Sequence, residues 1–517
     1  MHFSPAFKAS PHCCASPDGT LIATLLSSKI SVRSVESLET VHTIVLPSEA
    51  TGPVYALQWS PSSSRLLVAL LDQVHIFSAL DNSFRAVLRI AQSGLRPTHA
   101  QFGARDSEIF IIAQFGLKLT ICDTGSSKTI EINNPKFHHP SSAPRGLSLR
   151  PKTGHLSVIT RVAGKDLISI HESSTRQVLQ SWSPDTADAQ EVTWTPDGRW
   201  LVVTESPSQG HKLLFYTPDG QLFKSWTGPS GFDIDEKDFE MGSGVRVCQF
   251  SSDASRTVVG DHTRDVYVLD TMAVTDLARL RHPQAVTPTD TVQVWQEQLS
   301  PDQSGASGQA FVKATQTISA PSRQPQPNNA ESKEGCLAAA FDASGGLVAT
   351  RLDEYPSTVW IWDLTSSELR AVLIFHNTIS TMSWHPTLRE ELLIACEGEL
   401  YDALPFVWNP LSEGPRSVDF LRTLPDAKTS GKTQCSWLNL PGDSAILHFS
   451  DYKHTILASL AEADQPPLPW QHALNQGWRT GSSKLETPLM HSLDRGLSLI
   501  TPEDILAADD TFAFKRT

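Results

Sequence analysis

The stretch Val192 to Trp226, VTWTPDGRWLVVTESPSQGHKLLFYTPDGQLFKSW, decides the fold. It opens with a short apolar strand, Val192 to Trp194, and a turn of Thr195, Pro196, Asp197 and Gly198. A second strand follows at Trp200 to Thr204, then a polar loop and a third strand at Lys212 to Tyr216. Another turn, Thr217-Pro218-Asp219-Gly220, leads into a fourth strand ending at Trp226. Each strand is a run of about five to seven β-branched and aromatic residues, and Pro, Asp and Gly between them supply the fixed and positive φ of tight turns. Four antiparallel strands in about 40 residues make one small sheet, which cannot bury both faces unless it repeats.

The turn-then-strand signal recurs along the chain, at Ser16 before LIAT, Ser60 before LLVAL, Gly103 before IFIIA and Arg150 before LSVIT. After Thr195 it returns at Ser251 before TVVG, Asp342 before LVAT, His385 before LLIA and Leu438 before AILHF. The steps are 44, 43, 47, 45, 56, 91, 43 and 53 residues. A period near 43 to 45 with four strands per unit is the WD-repeat signature. The expected fold is all-β, a WD-repeat β-propeller of about nine four-stranded blades in one large ring, with a seven-blade ring plus a remnant, or two rings, as alternatives. Third strands end in the expected way (ISVRS, VHIFS, LTICD, LLFYT, VYVLD, VWIWD), but only Trp362-Asp363 keeps the dipeptide itself. Trp59, Trp194, Trp384 and Trp437 fall at one place in their repeats, beside the first turn, and read as wedges between blades.

The chain ends bear on closure. The ninth repeat offers strands near Gln434, Ala445 and Thr455 but lacks an outer one, so His2 to Ala9 is assigned that role, which removes an exposed edge. Residues 461–517 form a C-terminal extension beyond the expected propeller domain of 1–460. It starts with a rigid Pro-rich segment, and Thr501-Pro502-Glu503-Asp504 predicts a short helix over 502–508. Its Trp470, Trp478, Leu489, Leu493, Leu497, Leu499 and Ile500 are too apolar for a solvated tail, so packing on the propeller or docking on a partner is expected.

Two long steps mark insertions. Residues 227–244 carry Asp233, Asp235, Glu236, Asp238 and Glu240 against one Lys237, flanked by Phe232 and Phe239. This reads as a solvated acidic loop or, more sharply, as a dock for a basic partner segment through Phe232, Asp233, Asp235, Glu236, Asp238 and Phe239. Residues 283–334 are rich in Pro, Gln, Ser and Ala and read as largely disordered linker. Inside it, Val292 to Trp295 and Ala310 to Ile318 are strand-like. A hairpin lying on the ring is preferred to a tenth, broken blade, because the turn signal before a second strand is missing.

Composition limits the function. The 517 residues are 39% hydrophobic and 19% charged, as in a globular protein with a large core. A net charge of −14 argues against a nucleic-acid-binding surface. The seven cysteines form no CxxC pair and read as buried free thiols of a reducing compartment. The N-terminus has no apolar signal region and no run reaches about 18 apolar residues, so neither secretion nor membrane spanning is expected. The sequence contains no nucleophile elbow, Walker loop, HExxH or Rossmann fingerprint. His138-His139 lies between Pro135 and Pro140 and reads as surface loop rather than metal site, since neighbouring side chains in a strand diverge. No catalytic residue, metal or cofactor is assigned.

FSPAFKAS at 3–10, CCASPDGTLIAT at 13–24 and TVWIWDLTSSELRAVLIFHNTISTMSWHP at 358–386 resemble one WD-repeat group. This is the WD-repeat-containing protein eight family, also described as the WD repeat encoded antisense to p73. The resemblance covers roughly residues 1 to 460, includes the insertion between repeats 6 and 7, and suggests a fungal form. It implies a non-catalytic scaffold at the spindle pole body or centrosome. There it would bind a coiled-coil microtubule-anchoring protein and a minus-end-directed kinesin-14, so that microtubule minus ends are tethered and the spindle organised. The acidic balance implies that contact with microtubules is indirect. Two other readings stay open: a propeller subunit of a translation-initiation complex, and a propeller enzyme with a site in the central funnel.

Overall fold

The Ser/Thr-x-Asp-Gly turns are small hydrogen-bonded units, which is why they recur. In the reference repeat, the Thr195 hydroxyl donates to Asp197 Oδ1 (2.6 Å), and that oxygen also accepts Arg199 N (3.0 Å). Trp200 N returns to Thr195 Oγ1 at 3.1 Å, and Gly198 takes the positive φ of 73° that closes the turn. Ser16, Asp18 and Gly19 repeat the arrangement, as do Ser251 and Asp253, where Ala254 holds the positive φ. Each such turn delivers the chain from a first strand to a second.

In a computed structural model, residues 1–50, 52–90, 97–113, 117–136, 145–229, 243–301, 307–323, 335–440, 445–461 and 470 are described. The described elements are strands, apart from short 3-10 turns, and they build nine blades. The blades cover 13–45, 54–89, 97–133, 147–182, 191–226, 245–281, 336–374, 379–417 and 434–459. Within the first eight, four sequential strands pair antiparallel, and in the ninth, three do. The fold class is the one the repeat predicts.

Two compact units are distinguished. One holds His12–Gln114 and Leu119–Glu131, essentially blades 1 to 3, together with Ala461–Thr517. In the other, Met1–Pro11, Phe115–Lys118 and Ile132–Leu460 carry blades 4 to 9. In both, the core is a series of apolar clusters, each drawn from two neighbouring sheets. Ile159, Ile168 and Ile170 of blade 4 meet Val192, Trp194 and Leu214 of blade 5. Leu25, Ile30 and Val32 of blade 1 likewise meet Leu57, Leu66 and Val68 of blade 2.

The tryptophans at the ends of first strands act at these junctions. Trp59 Nε1 donates to Cys14 O (3.0 Å), Trp384 Nε1 to Ala340 O (2.9 Å) and Trp437 Nε1 to Ser383 O (3.0 Å), in each case on the first strand of the preceding blade. Trp194 reaches the preceding blade differently: its backbone N donates to Ser148 Oγ (3.1 Å), and Arg150 lies over its ring.

The last blade takes its outer strand from the N-terminus. His2 and Phe3 pair with Ser459 and Ala458, and Phe7 and Lys8 with Thr455 and His454. Pro5, which lacks an N–H, interrupts the ladder between them. Ser4 repairs the gap, because its hydroxyl oxygen accepts Leu457 N at 2.9 Å while its own N–H donates to Leu457 O at 2.8 Å.

The insertion at 283–334 requires a correction. Composition predicted a largely disordered linker, but Ala285–Val286, Gln293–Pro301, Ser307–Lys313 and Ile318–Ser319 are strands. The second and third form a hairpin, as preferred, but it extends a blade instead of lying on the ring. Gln293 to Gln296 run parallel to Ala371 to Ile374, so blade 7 becomes a six-stranded sheet. Burial explains the order: Val294 and Trp295 are core residues, and Gly414, with φ of 89°, lets the backbone approach the Trp295 ring. Glu297 is buried because Tyr401 OH and His376 N both donate to it (2.9 and 2.8 Å).

Trp470 is fully buried, in the unit that holds blades 1 to 3. The predicted helix at 502–508 and the remaining apolar tail residues lie outside the described residues, as does His138-His139.

Candidate partner-binding surfaces

The residues singled out for partner binding, Phe232, Asp233, Asp235, Glu236, Asp238 and Phe239, all lie outside the described residues. What the structure places is the pair of strands that hold their loop: Leu222–Trp226, the fourth strand of blade 5, and Val245–Phe250, the first of blade 6.

A catalytic reading would require ionisable side chains converging from first strands. Cysteines and Tyr55 aside, those strands carry His99, Glu191 and Arg246, on blades 3, 5 and 6. His99 Nε2 is bonded to Gln101 Oε1 (2.9 Å) and Arg246 is paired with Asp353, while burial raises the Glu191 carboxyl above the usual range. Burial pushes the Cys336 and Cys435 thiols up to about 12, the opposite of what a reactive thiolate needs. All seven cysteines are free thiols. Among the described residues, no group of three or more His, Cys, Asp and Glu side chains is arranged to hold a metal.

The polar clusters that do form join blades. In blade 7, the repeat that keeps Trp362-Asp363, Trp362 Nε1 donates to Thr350 Oγ1 (2.9 Å). The Thr350 hydroxyl donates to His282 Nε2 (2.7 Å), whose Nδ1–H donates to Arg264 O in blade 6. Burial pushes His282 down to about 4, so the ring is neutral and the relay keeps one direction. A second cluster surrounds Lys136: its ammonium lies 2.8 Å from Asp166 and 2.6 Å from Asp188, which Arg161 also contacts at 2.6 Å. Ala189 N caps Asp166, so the buried charges are compensated. These clusters fix geometry; they present nothing to a substrate. Sequence reading missed them because their members lie tens of residues apart and no local motif joins them.

The fourth strands are where the blades differ. In blade 7, Ala371 to Ile374 are buried under the hairpin. In blades 4 and 5, Val178–Trp182 and Leu222–Trp226 are exposed along four residues and dip inward only at their closing Trp182 and Trp226. Val178, Leu179, Leu222 and Phe223 are each about half exposed, with Leu277 on the fourth strand of blade 6 and Met272 just before it. The three strands are tied side by side. Gln180 Nε2 donates to Asp219 O (3.1 Å), Lys224 Nζ to Ala273 O (2.7 Å) and Trp226 Nε1 to Asp276 Oδ1 (2.9 Å). The turn at Gly220 lies against Trp182, where a Cβ would come within 2.6 Å of the ring.

No protein-family model matches the chain. It is 22% identical over 429 residues to WD repeat-containing protein WRAP73 of Mus musculus, covering 79% of this chain and 87% of that protein. It is also 22% identical over 395 residues to an uncharacterized WD repeat-containing protein of Schizosaccharomyces pombe, covering 74% and 75%. Among solved structures it is similar to a crystal structure of a eukaryotic initiation factor, with a TM-score of 0.50 and 10% identity over 80% of this chain and 89% of that one. At that identity the likeness speaks for the fold alone. Nine blades with WD-type turns, read beside these two relatives, make the chain a WD-repeat β-propeller.

Proposed function

We propose that this protein is a non-catalytic scaffold of the spindle pole body or centrosome. In this reading it binds a coiled-coil microtubule-anchoring protein and a kinesin-14 motor, and so tethers microtubule minus ends. The observation that carries the reading is the likeness to WRAP73 over 79% of the chain, beside the motifs that suggested that family. The structure supports the general part: sheets locked to one another by Trp wedges and buried polar relays make rigid supports for loops and edges that contact partners. The first strands support the non-catalytic part, since their few charged side chains are already engaged or desolvated.

The acidic insertion, with Phe232, Asp233, Asp235, Glu236, Asp238 and Phe239, is proposed as a contact for a basic partner segment. The net charge of −14 makes direct binding to an acidic polymer unfavourable, so microtubule contact is assigned to the partners. Affinity purification from dividing cells with mass spectrometry tests the reading. Recovery of a coiled-coil pole protein and a minus-end-directed kinesin is the expected result. Recovery of ribosomal subunits and initiation factors instead would replace it with the translation alternative. Co-sedimentation of the purified chain alone with microtubules at physiological salt would contradict the indirect contact.

A further inference from the structure

We propose that the seam where the N-terminal strands close the last blade is a dock for an acidic segment of a partner protein. The proposal goes beyond the scaffold reading above and depends neither on the pole assignment nor on the acidic insertion. Lys8 pairs opposite His454, and Ala9 N donates to Lys453 O at 2.6 Å, which sets Lys8 beside Lys453. Tyr452 N donates to Ser430 O (2.8 Å) and Ser430 N to Asp451 Oδ2 (2.9 Å), so the loop carrying Lys428 and Lys432 is held against the same turn. All four lysines are exposed, and none of their ammonium groups is paired among the described residues. Asp451 is buried and spent, because it also accepts the N–H groups of Lys453 (2.7 Å) and His454 (2.6 Å). Among the described residues, Asp426 on the short turn before Lys428 is the exposed carboxylate nearby, so four positive charges face one negative. Tyr452 stands among the lysines, 45% exposed yet held in place. Gly431, at φ of 71°, lies so close that a Cβ there would come within 2.2 Å of the ring.

Elsewhere, exposed cations are spent or scattered. Arg89 lies by Glu49, Lys212 by Asp185 and Arg422 by Asp419, while Lys224 donates to Ala273 O. Lys152 and Lys165, exposed on blade 4, stand at opposite ends of its second strand, Leu156–Val162. The seam thus concentrates unpaired positive charge in a chain whose net charge is −14. At physiological ionic strength charges act over about 8 Å, so a short segment laid on the seam meets the lysines rather than the net charge. An extended acidic polymer would also meet the rest of the surface. Chemistry selects carboxylates over a single phosphate group. The N–H groups of the turn are already taken by Asp451, which leaves no backbone cradle there, and Arg422, the guanidinium nearest in sequence, is held by Asp419. Lysines are separate point charges. They suit Asp and Glu side chains spread along a chain, with one apolar side chain among them set against the Tyr452 ring.

The test uses the full chain and a short fluorescent peptide in which Glu and Asp surround a central Leu. A second peptide carries Gln and Asn in their place, and a single-stranded oligonucleotide of equal charge is the third probe. Wild type should bind the acidic peptide, with affinity falling as salt rises from about 0.05 to about 0.3 M. Lys428→Glu/Lys432→Glu should weaken it at least about tenfold. The melting temperature should not change, because both side chains are exposed. Lys152→Glu/Lys165→Glu makes the same change in net charge on blade 4 and should leave binding within about twofold of wild type. Failure of the acidic peptide to bind, equal binding of the amide peptide, or equal weakening by the two double variants overturns the proposal. Tighter binding of the oligonucleotide overturns it as well, in favour of a nucleic-acid surface. Because the probes are synthetic, these outcomes hold whether or not a pole protein co-purifies.

Discussion

The fourth strand of blade 7 and those of blades 4 and 5 hold the same place in the same sheet, yet they meet different surroundings. In blade 7, Ala371 to Ile374 are roofed by a parallel strand, and Trp295, Phe311, Phe375 and Phe406 fill the space toward blade 8. In blades 4 and 5, Val178, Leu179 and Leu222 stay about half exposed. The molecule therefore has two ways of treating an edge that could pair with other chains. It covers one from within and leaves another half exposed.

Removing the cover should give the largest effect. Deleting residues 2–9 would strip the last blade of its outer strand, including the paired His2, Phe3, Phe7 and Lys8, and bare that edge. Loss of several ladder hydrogen bonds at about 1 kcal/mol each, with Phe3 withdrawn from Phe420, predicts a lower melting temperature and aggregation on heating. Trp295→Ala should cost about 3 to 5 kcal/mol by chemical denaturation, as for other buried Trp truncations. It should also open 293–313 to limited proteolysis. Thr350→Ala breaks the Trp362–Thr350–His282 relay and leaves the Trp362 Nε1 donor and the His282 Nε2 acceptor unpaired, at about 1 to 3 kcal/mol. By contrast, Leu222→Ala on the bare edge should shift stability by less than about 0.5 kcal/mol.

Acid should act on the covered parts as well. Burial holds His282, His385 and His448 at about 4, against 6.5 for a free imidazole. The unfolded chain therefore binds more protons between these values. Stability is full above about 6.5 and falls as pH drops toward 4. Denaturant midpoints measured across that window should show the decline, and His448→Gln should flatten it.

The repeating parts of the fold were legible because their causes are local. The Thr195-Pro196-Asp197-Gly198 turn is specified by its own side chains, and its period is visible without any coordinates. The role of His2 to Ala9 was legible by elimination, because the last repeat offers too few strands. The insertion at 283–334 was only half legible. Its strand-like pieces stood out, but pairing of Gln293 to Gln296 with Ala371 to Ile374 is a contact between distant segments, and average composition concealed it. The buried relay from Trp362 to His282 was hidden for the same reason. Exposure of Val178, Leu179, Leu222 and Phe223 was not legible at all, since a bare apolar strand and a buried one are spelled alike.

Hydrogen exchange on the purified chain tests the contrast between covered and bare fourth strands most directly. The account predicts that amides of 178–182 and 222–226 exchange readily, while those of 371–374, paired on both sides, stay protected. Equal protection of all three segments would contradict it.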